Sequence, residues 1–137
     1  MPPSRDDPEI SDETSLLRVL LPKWCTFKAG RERPTSDSLL DSNFENSCFI
    51  EGAVTVQEVQ QLFPSLKIAR VRAALLRREG FAIERRPGEA PPGCSHPDSH
   101  VVVGPQVPIE RGPYERAARN IVRDLSIEIV NPPELLE

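Results

Sequence analysis

Aromatic side chains, cysteines and long apolar runs are all scarce in this sequence. Its 137 residues include five Phe, one Trp, one Tyr and one Met, so the core must consist mainly of Leu, Val, Ile and Ala. The three cysteines lie far apart and form no disulfide framework, which favours a reducing compartment. No segment approaches the ~20 apolar residues of a membrane-spanning helix, and the N-terminus lacks a secretory signal. These absences predict a soluble intracellular protein without a membrane partner.

The motifs of common enzymes are missing as well. The glycines are scattered, so no Gly-rich phosphate loop is present, and no nucleophile elbow accompanies any Ser or Cys. The acidic residues show no pairing typical of acid–base catalysis. The sequence therefore predicts no catalytic residues, no cofactor and no small-molecule substrate.

Four potential metal ligands lie close together in CSHPDSH (94–100), namely Cys94, His96, Asp98 and His100. A structural zinc site usually takes ligand pairs from two places in the chain, and a second CxxC or HxxxH pair is absent. We therefore predict no metal site and interpret the segment as a polar loop. A small metal-dependent enzyme centred on Cys94, His96 and His100 is the alternative, which elemental analysis would test.

Charge is unevenly distributed along the chain. The net charge is −4, but residues 67–86 hold seven basic and two acidic side chains, whereas both flanking regions are acidic. Residues 1–15 are acidic and contain Pro and Ser, so we predict a disordered N-terminus followed by a single domain over 16–137. An acidic protein that concentrates its positive charge in one region resembles a binder of polyanions.

Apolar patterning predicts an α+β fold. Four short segments are typical of strands: 24–28, 46–52, 81–86 and 100–103. The short apolar run 15–22 is predicted to form either a strand or one helical turn. Residues 29–38 are predicted to form a loop. Thr55 and Glu58 have the spacing of a capping box, which predicts a helix from Val56 to Phe63 that ends at Pro64.

A second helix is predicted from Ser65 to about Glu79, ending at Gly80. Its short connection to the first helix is typical of a helix-turn-helix. On a helical wheel, Lys67, Arg70, Arg77 and Arg78 share one face. We predict that this face contacts DNA, together with a further basic pair that follows it in the chain, Arg85 and Arg86.

The rest of the chain completes a winged-helix-like layout. Strand 81–86, the loop 87–99 and strand 100–103 have the order of a β-wing. A last helix begins near Pro113 and packs through one apolar stripe, with Glu115 and Arg119 able to pair outside it. Residues 127–130 are predicted to be a short strand or an apolar tail.

This order of elements resembles the KilA-N/APSES family of winged-helix-like DNA-binding domains. The resemblance covers residues 46–131 and is carried by AVTVQEVQQLF (53–63), KIARVRAALLRREG (67–80) and HVVVGPQVPIERGPYERAARNI (100–121). The closest local match is Val107-Pro108-Ile109 followed by Ala117-Ala118. The resemblance implies a helix-turn-helix with a β-wing, and double-stranded DNA as the partner of Lys67, Arg70, Arg77, Arg78, Arg85 and Arg86.

Two functions remain open from the sequence. The first is a nuclear DNA-binding domain of a transcription or chromosome regulator, which contacts DNA through a basic helix and a wing. The alternative is a protein-interaction module that kept the fold and lost DNA binding. A partner peptide would then add to an exposed strand such as residues 100–103, or lie in an apolar groove beside the last helix.

Overall fold

A six-stranded antiparallel sheet forms the centre of the computed structural model, which describes residues 5–28, 30–40, 45–106, 109–123 and 127–130. The strands within these residues are Ser15–Leu20 (β1), Cys25–Lys28 (β2), Arg31–Pro34 (β3), Asn46–Ile50 (β4), Lys67–Arg72 (β5), Phe81–Arg85 (β6), His100–Pro105 (β7) and Ile127–Ile129 (β8). The α-helices within them are Val56–Leu62 (α1), Ala73–Arg78 (α2) and Arg111–Arg123 (α3), and the short 3-10 helices are Pro22–Trp24, Ser36–Leu39, Pro87–Glu89 and Pro97–Ser99. The predicted mixed α+β class is confirmed.

The large sheet has the strand order β6-β7-β4-β1-β5-β8, and β2 pairs with β3 in a separate hairpin. Both faces of the sheet are covered. On one face, the buried side chains of α2 and α3 pack with Leu16, Val101 and Val103. On the other face, Val59 of α1 packs with Leu17 and other strand residues. Neighbouring residues of one strand therefore belong to opposite cores.

Helix α1 forms where its capping box predicts. The backbone N–H of Glu58 donates to the Thr55 hydroxyl at 3.1 Å, and the Glu58 carboxylate accepts from the backbone N–H of Thr55 at 2.9 Å. The last predicted helix is also confirmed as α3, which buries Tyr114, Ala117, Ala118 and Ile121. The strands predicted in the segments 24–28, 46–52, 81–86 and 100–103 are found within one or two residues of their expected places. The segments 15–22 and 127–130, for which a strand is one of two predicted alternatives, also form strands.

The second predicted helix is wrong, and with it the helix-turn-helix. Residues 67–72 form the strand β5, and only the six residues Ala73–Arg78 that follow are helical. Strand β5 pairs with the whole of β1, from Ser15 opposite Arg72 to Leu20 opposite Lys67. Ile68 and Ala69 are both fully buried, on opposite faces of the sheet, so the strand lacks the alternating pattern of a half-buried one. Pairing across the sheet outweighs the helical propensity of the segment.

Two further predictions need correction. Residues 31–34, predicted within a loop, form β3 and pair with β2. Residues 5–14, predicted to be disordered, pack against β6 and α2, with Ile10 only 3% exposed. Neutralisation of the acidic side chains by nearby arginines and burial of Ile10 stabilise this segment. Residues 1–4 lie outside the described part of the chain.

Candidate anion-binding cleft

The six residues predicted to contact DNA are dispersed over β5, α2, β6 and the position directly after β6, and each one pairs with a carboxylate. On β5, Arg70 makes a two-pronged contact with Glu51, at 2.7 Å for both its Nε and its Nη2. These hydrogen bonds raise the pKa of Arg70 above its ordinary value. Lys67 of the same strand lies 3.3 Å from Glu32. Because both residues lie on a strand, their side chains do not share the predicted helical face.

The arginines of α2 are paired too. Arg77 contacts the carboxylates of Asp6 at 3.1 Å and Asp12 at 2.7 Å, and its side chain is only 20% exposed. Arg78 lies 3.1 Å from the adjacent Glu79.

The predicted wing arginines follow the same pattern. Arg85 donates to Asp7 at 2.9 Å. The Asp7 carboxylate also accepts from the backbone N–H of Glu9, and the two contacts lower the pKa of Asp7 despite some burial. Arg86 lies 2.7 Å from Glu45 and 3.1 Å from Glu84, and these hydrogen bonds raise its pKa. The positive charge of residues 67–86 is therefore largely neutralised by ion pairs within the molecule.

A second set of arginines meets in a cleft of about 590 Å³ between the β2–β3 hairpin and α3. We call it the arginine cleft. Its lining residues are Thr26, Arg33, Pro34, Thr35, Ser36, Arg116, Arg119, Asn120, Val122 and Arg123. Four arginines line it, and none of these lining residues carries a carboxylate.

The geometry of α3 brings three of these arginines into one row. Arg116, Arg119 and Arg123 are spaced i, i+3 and i+7, so they share one side of the helix. The opposite side is the buried stripe that packs on the sheet. All three side chains are exposed, and Arg33 reaches the cleft from β3 on the other wall.

The cleft arginines differ in their pairing from the predicted residues. Arg33, Arg116 and Arg119 form no ion pair with any described residue. The sequence predicted a pair between Glu115 and Arg119, but Glu115 instead accepts from Arg111 at 3.2 Å. Positive charge in the cleft is thus left available to a ligand.

The wall of the arginine cleft carries two further polar groups, Thr35 and Asn120. Thr35 has a buried hydroxyl oxygen with no hydrogen-bond partner among the described residues. The amide of Asn120 donates to Glu79 at 3.0 Å, so it is already engaged.

The arginine cleft was not predicted from the sequence because Arg33 and the α3 row are distant in the chain. The spacing of the three α3 arginines was the one available signal.

The segment 94–100 does not gather its potential metal ligands. His96 lies 3.2 Å from Glu58, whereas the buried His100 has its Nδ1 2.8 Å from the carbonyl of Arg86 and packs edge-on against Phe49. Within the described ranges, no group of three or more His, Cys, Asp or Glu side chains is placed to hold a metal. Burial raises the pKa of the Cys48 thiol to about 11, so it is protonated near neutral pH.

The strand proposed as a peptide acceptor is unavailable. Residues 100–103 belong to β7, which pairs with β4 on one side and with β6 on the other. The edges of the large sheet are β6 and β8 instead. Among the residues that the structure describes, no helix is long and apolar enough to cross a membrane.

Comparisons of this chain with family models, curated proteins and solved structures found no match. The resemblance to the KilA-N/APSES family stays a prediction.

Proposed function

We propose that this protein binds double-stranded DNA and that the arginine cleft takes the phosphate backbone. The observation that carries the proposal is a concave site with four arginines and no carboxylate among its lining residues, in a protein whose net charge is −4. Backbone phosphates are recognised mainly by arginine, lysine and hydroxyl groups. The cleft offers all of these except lysine.

The dimensions of the arginine row fit this ligand. At about 1.5 Å of rise per residue, Arg116 and Arg123 lie about 10 Å apart along α3. This length corresponds to roughly three base-pair rises of about 3.4 Å on one DNA strand. Arg33 faces the row from the hairpin, so adjacent phosphates can be contacted from two sides. The lining residues Thr26 and Ser36 add hydroxyl groups on the same wall.

We propose that the protein has a binding role rather than a catalytic one. We further propose that it acts in the nucleus, as part of a transcription or chromosome regulator. The nuclear location and the regulatory role rest on the resemblance to the KilA-N/APSES family. We also propose that the fold is related to winged-helix domains through its wing and its last helix, but not through a helix-turn-helix. This relationship is supported by the antiparallel β6–β7 pair in the place of a wing and by α3 in the place of the last helix.

We expect random-sequence duplex DNA to bind at 50 mM salt and to lose roughly 40-fold in affinity at 200 mM salt. The expected loss follows from release of one counterion for each phosphate neutralised by Arg33, Arg116 and Arg119. Fluorescence anisotropy with a labelled duplex measures both affinities. A poly-glutamate peptide serves as the control polyanion.

Absence of binding at 50 mM salt, or an affinity that salt does not change, would contradict the proposal. Equal affinity for poly-glutamate would also contradict it, because the cleft would then be a site for acidic protein segments.

A further inference from the structure

The outer edge of β6 is covered by the N-terminal segment, which we define as residues 5–14. The backbone N–H of Asp7 donates to the carbonyl of Ile83 at 2.8 Å. In return, the N–H of Ile83 donates to the Asp6 carboxylate at 3.0 Å, so a side chain takes the place of a carbonyl on a neighbouring strand. An open sheet edge is a ready site for pairing with another extended chain. Here the pairing is made within the molecule.

Two arginines hold the segment by its acidic side chains. Arg77 binds it at three points, through the carboxylates of Asp6 and Asp12 and through the carbonyl of Asp7 at 3.0 Å. Arg85 adds a contact to the Asp7 carboxylate at 2.9 Å. Charge-assisted hydrogen bonds of this kind are stronger than neutral ones. The edge therefore selects for acidic residues.

An apolar anchor and a helix end complete the contact. Ile10 enters the main core and is 3% exposed. The carbonyls of Asp12 and Thr14 accept from the backbone N–H groups of Ala74 and Ala73, at 2.9 and 2.8 Å. These N–H groups belong to the first turn of α2, where no intrahelical acceptor exists. Sheet edge, arginine pair, apolar pocket and helix end thus recognise one segment, whose chain turns at residues 8–9 and again at residues 12–13.

We infer that the surface formed by the β6 edge and α2 is a docking site for an acidic peptide with one aliphatic anchor, bound with the same two turns as the N-terminal segment. The N-terminal segment occupies this site in cis and displays the pattern that it accepts: two adjacent carboxylates, an aliphatic residue three positions later and a third carboxylate two positions beyond. The site is separate from the arginine cleft and does not depend on DNA binding. A tethered occupant has a high effective concentration, so a partner peptide binds well only when the segment is weakened or displaced.

The test uses the full chain and a labelled synthetic peptide with the sequence of residues 5–14. Asp6→Asn with Asp12→Asn weakens the tethered segment while Arg77 and Arg85 remain in place. We expect this variant to bind the peptide at least about 10-fold more tightly than the wild-type protein does, because the competitor has lost two charge-assisted contacts. Fluorescence anisotropy measures both affinities, and circular dichroism confirms that the variant is folded.

Two controls define the site. Adding Arg77→Ala to the variant should abolish the gain, and a peptide with Asn at all three Asp positions should not bind. Equal affinity of variant and wild type, or equal binding of the peptide with Asn at the three Asp positions, would overturn the inference.

A second measurement on the wild-type protein covers the case in which the variant does not fold. Hydrogen exchange should be faster at the amides of Asp7 and Ile83 than at that of Val101 in the interior strand β7, since the segment opens without global unfolding. Equal protection at all three amides would mean that the segment is a permanent part of the fold, which would overturn the inference.

Discussion

Replacing both Arg116 and Arg119 by alanine is expected to weaken binding to duplex DNA at least about 100-fold at low salt. Each substitution removes a charged hydrogen-bond donor that forms no ion pair with a described residue, and such a contact contributes roughly 1.5–3 kcal/mol. The slope of log affinity against log salt should fall by about 2, since two fewer counterions are released. Anisotropy titrations over several salt concentrations give both quantities.

The matched control removes the same charge from the residues that the sequence favoured. Lys67→Ala with Arg78→Ala changes two exposed side chains whose ion pairs are with Glu32 and Glu79. Surface pairs of this kind add little stability, so the control should fold normally. It should keep nearly the full affinity and slope. The account fails if the control loses as much affinity as the cleft variant, or if the cleft variant loses none.

Tyr114→Ala is expected to destabilise the protein by about 3–5 kcal/mol, the usual cost of truncating a large buried aromatic side chain. Tyr114 is fully buried, and its ring packs edge-on against Phe81 of β6 with 6.0 Å between the centroids. Its hydroxyl oxygen accepts from the Asn46 amide at 3.1 Å. This residue therefore fixes α3, and with it the arginine row, on the sheet. Urea unfolding measures the change in the free energy of unfolding.

Tyr114→Phe separates the two contributions of the residue. The ring stays, and Asn46 keeps its second hydrogen bond to the carbonyl of Val103 at 3.0 Å. The cost should therefore be only about 1 kcal/mol. Similar losses for the two variants, or a loss below about 1 kcal/mol for Tyr114→Ala, would show that α3 is not held by this ring.

Local signals in the sequence predict the elements that they control. The capping box places α1, and the apolar stripe from Tyr114 to Ile121 places α3, because both patterns depend on residues within a few positions of each other. Strand β5 could not be predicted from such local patterns. Its conformation depends on β1, some fifty residues earlier in the chain, and burial on both faces removes the alternation that identifies a strand.

The site was harder to predict than the fold for the same reason. The sequence shows the net positive charge of residues 67–86. It does not show which carboxylates, distant in the chain, pair with these residues in the fold. Arg77 pairs with Asp6 from 71 positions away, and Arg85 pairs with Asp7 from 78 positions away. The arginine cleft also joins distant segments, with Arg33 on a hairpin and the other three arginines on the last helix.

The structure thus distinguishes two groups of arginines. One group, which includes Arg70, Arg77 and Arg86, binds carboxylates within the molecule. The other group lines the arginine cleft. The function proposed here depends on the second group.

Arginine side-chain NMR tests this division most directly. The Nε–Hε signals of the 137-residue protein are followed during titration with duplex DNA. The account predicts that the signals of Arg33, Arg116 and Arg119 shift in proportion to the bound fraction, while those of Arg77 and Arg86 stay in place. Shifts at Arg77 and Arg86 without shifts at the cleft arginines would contradict it.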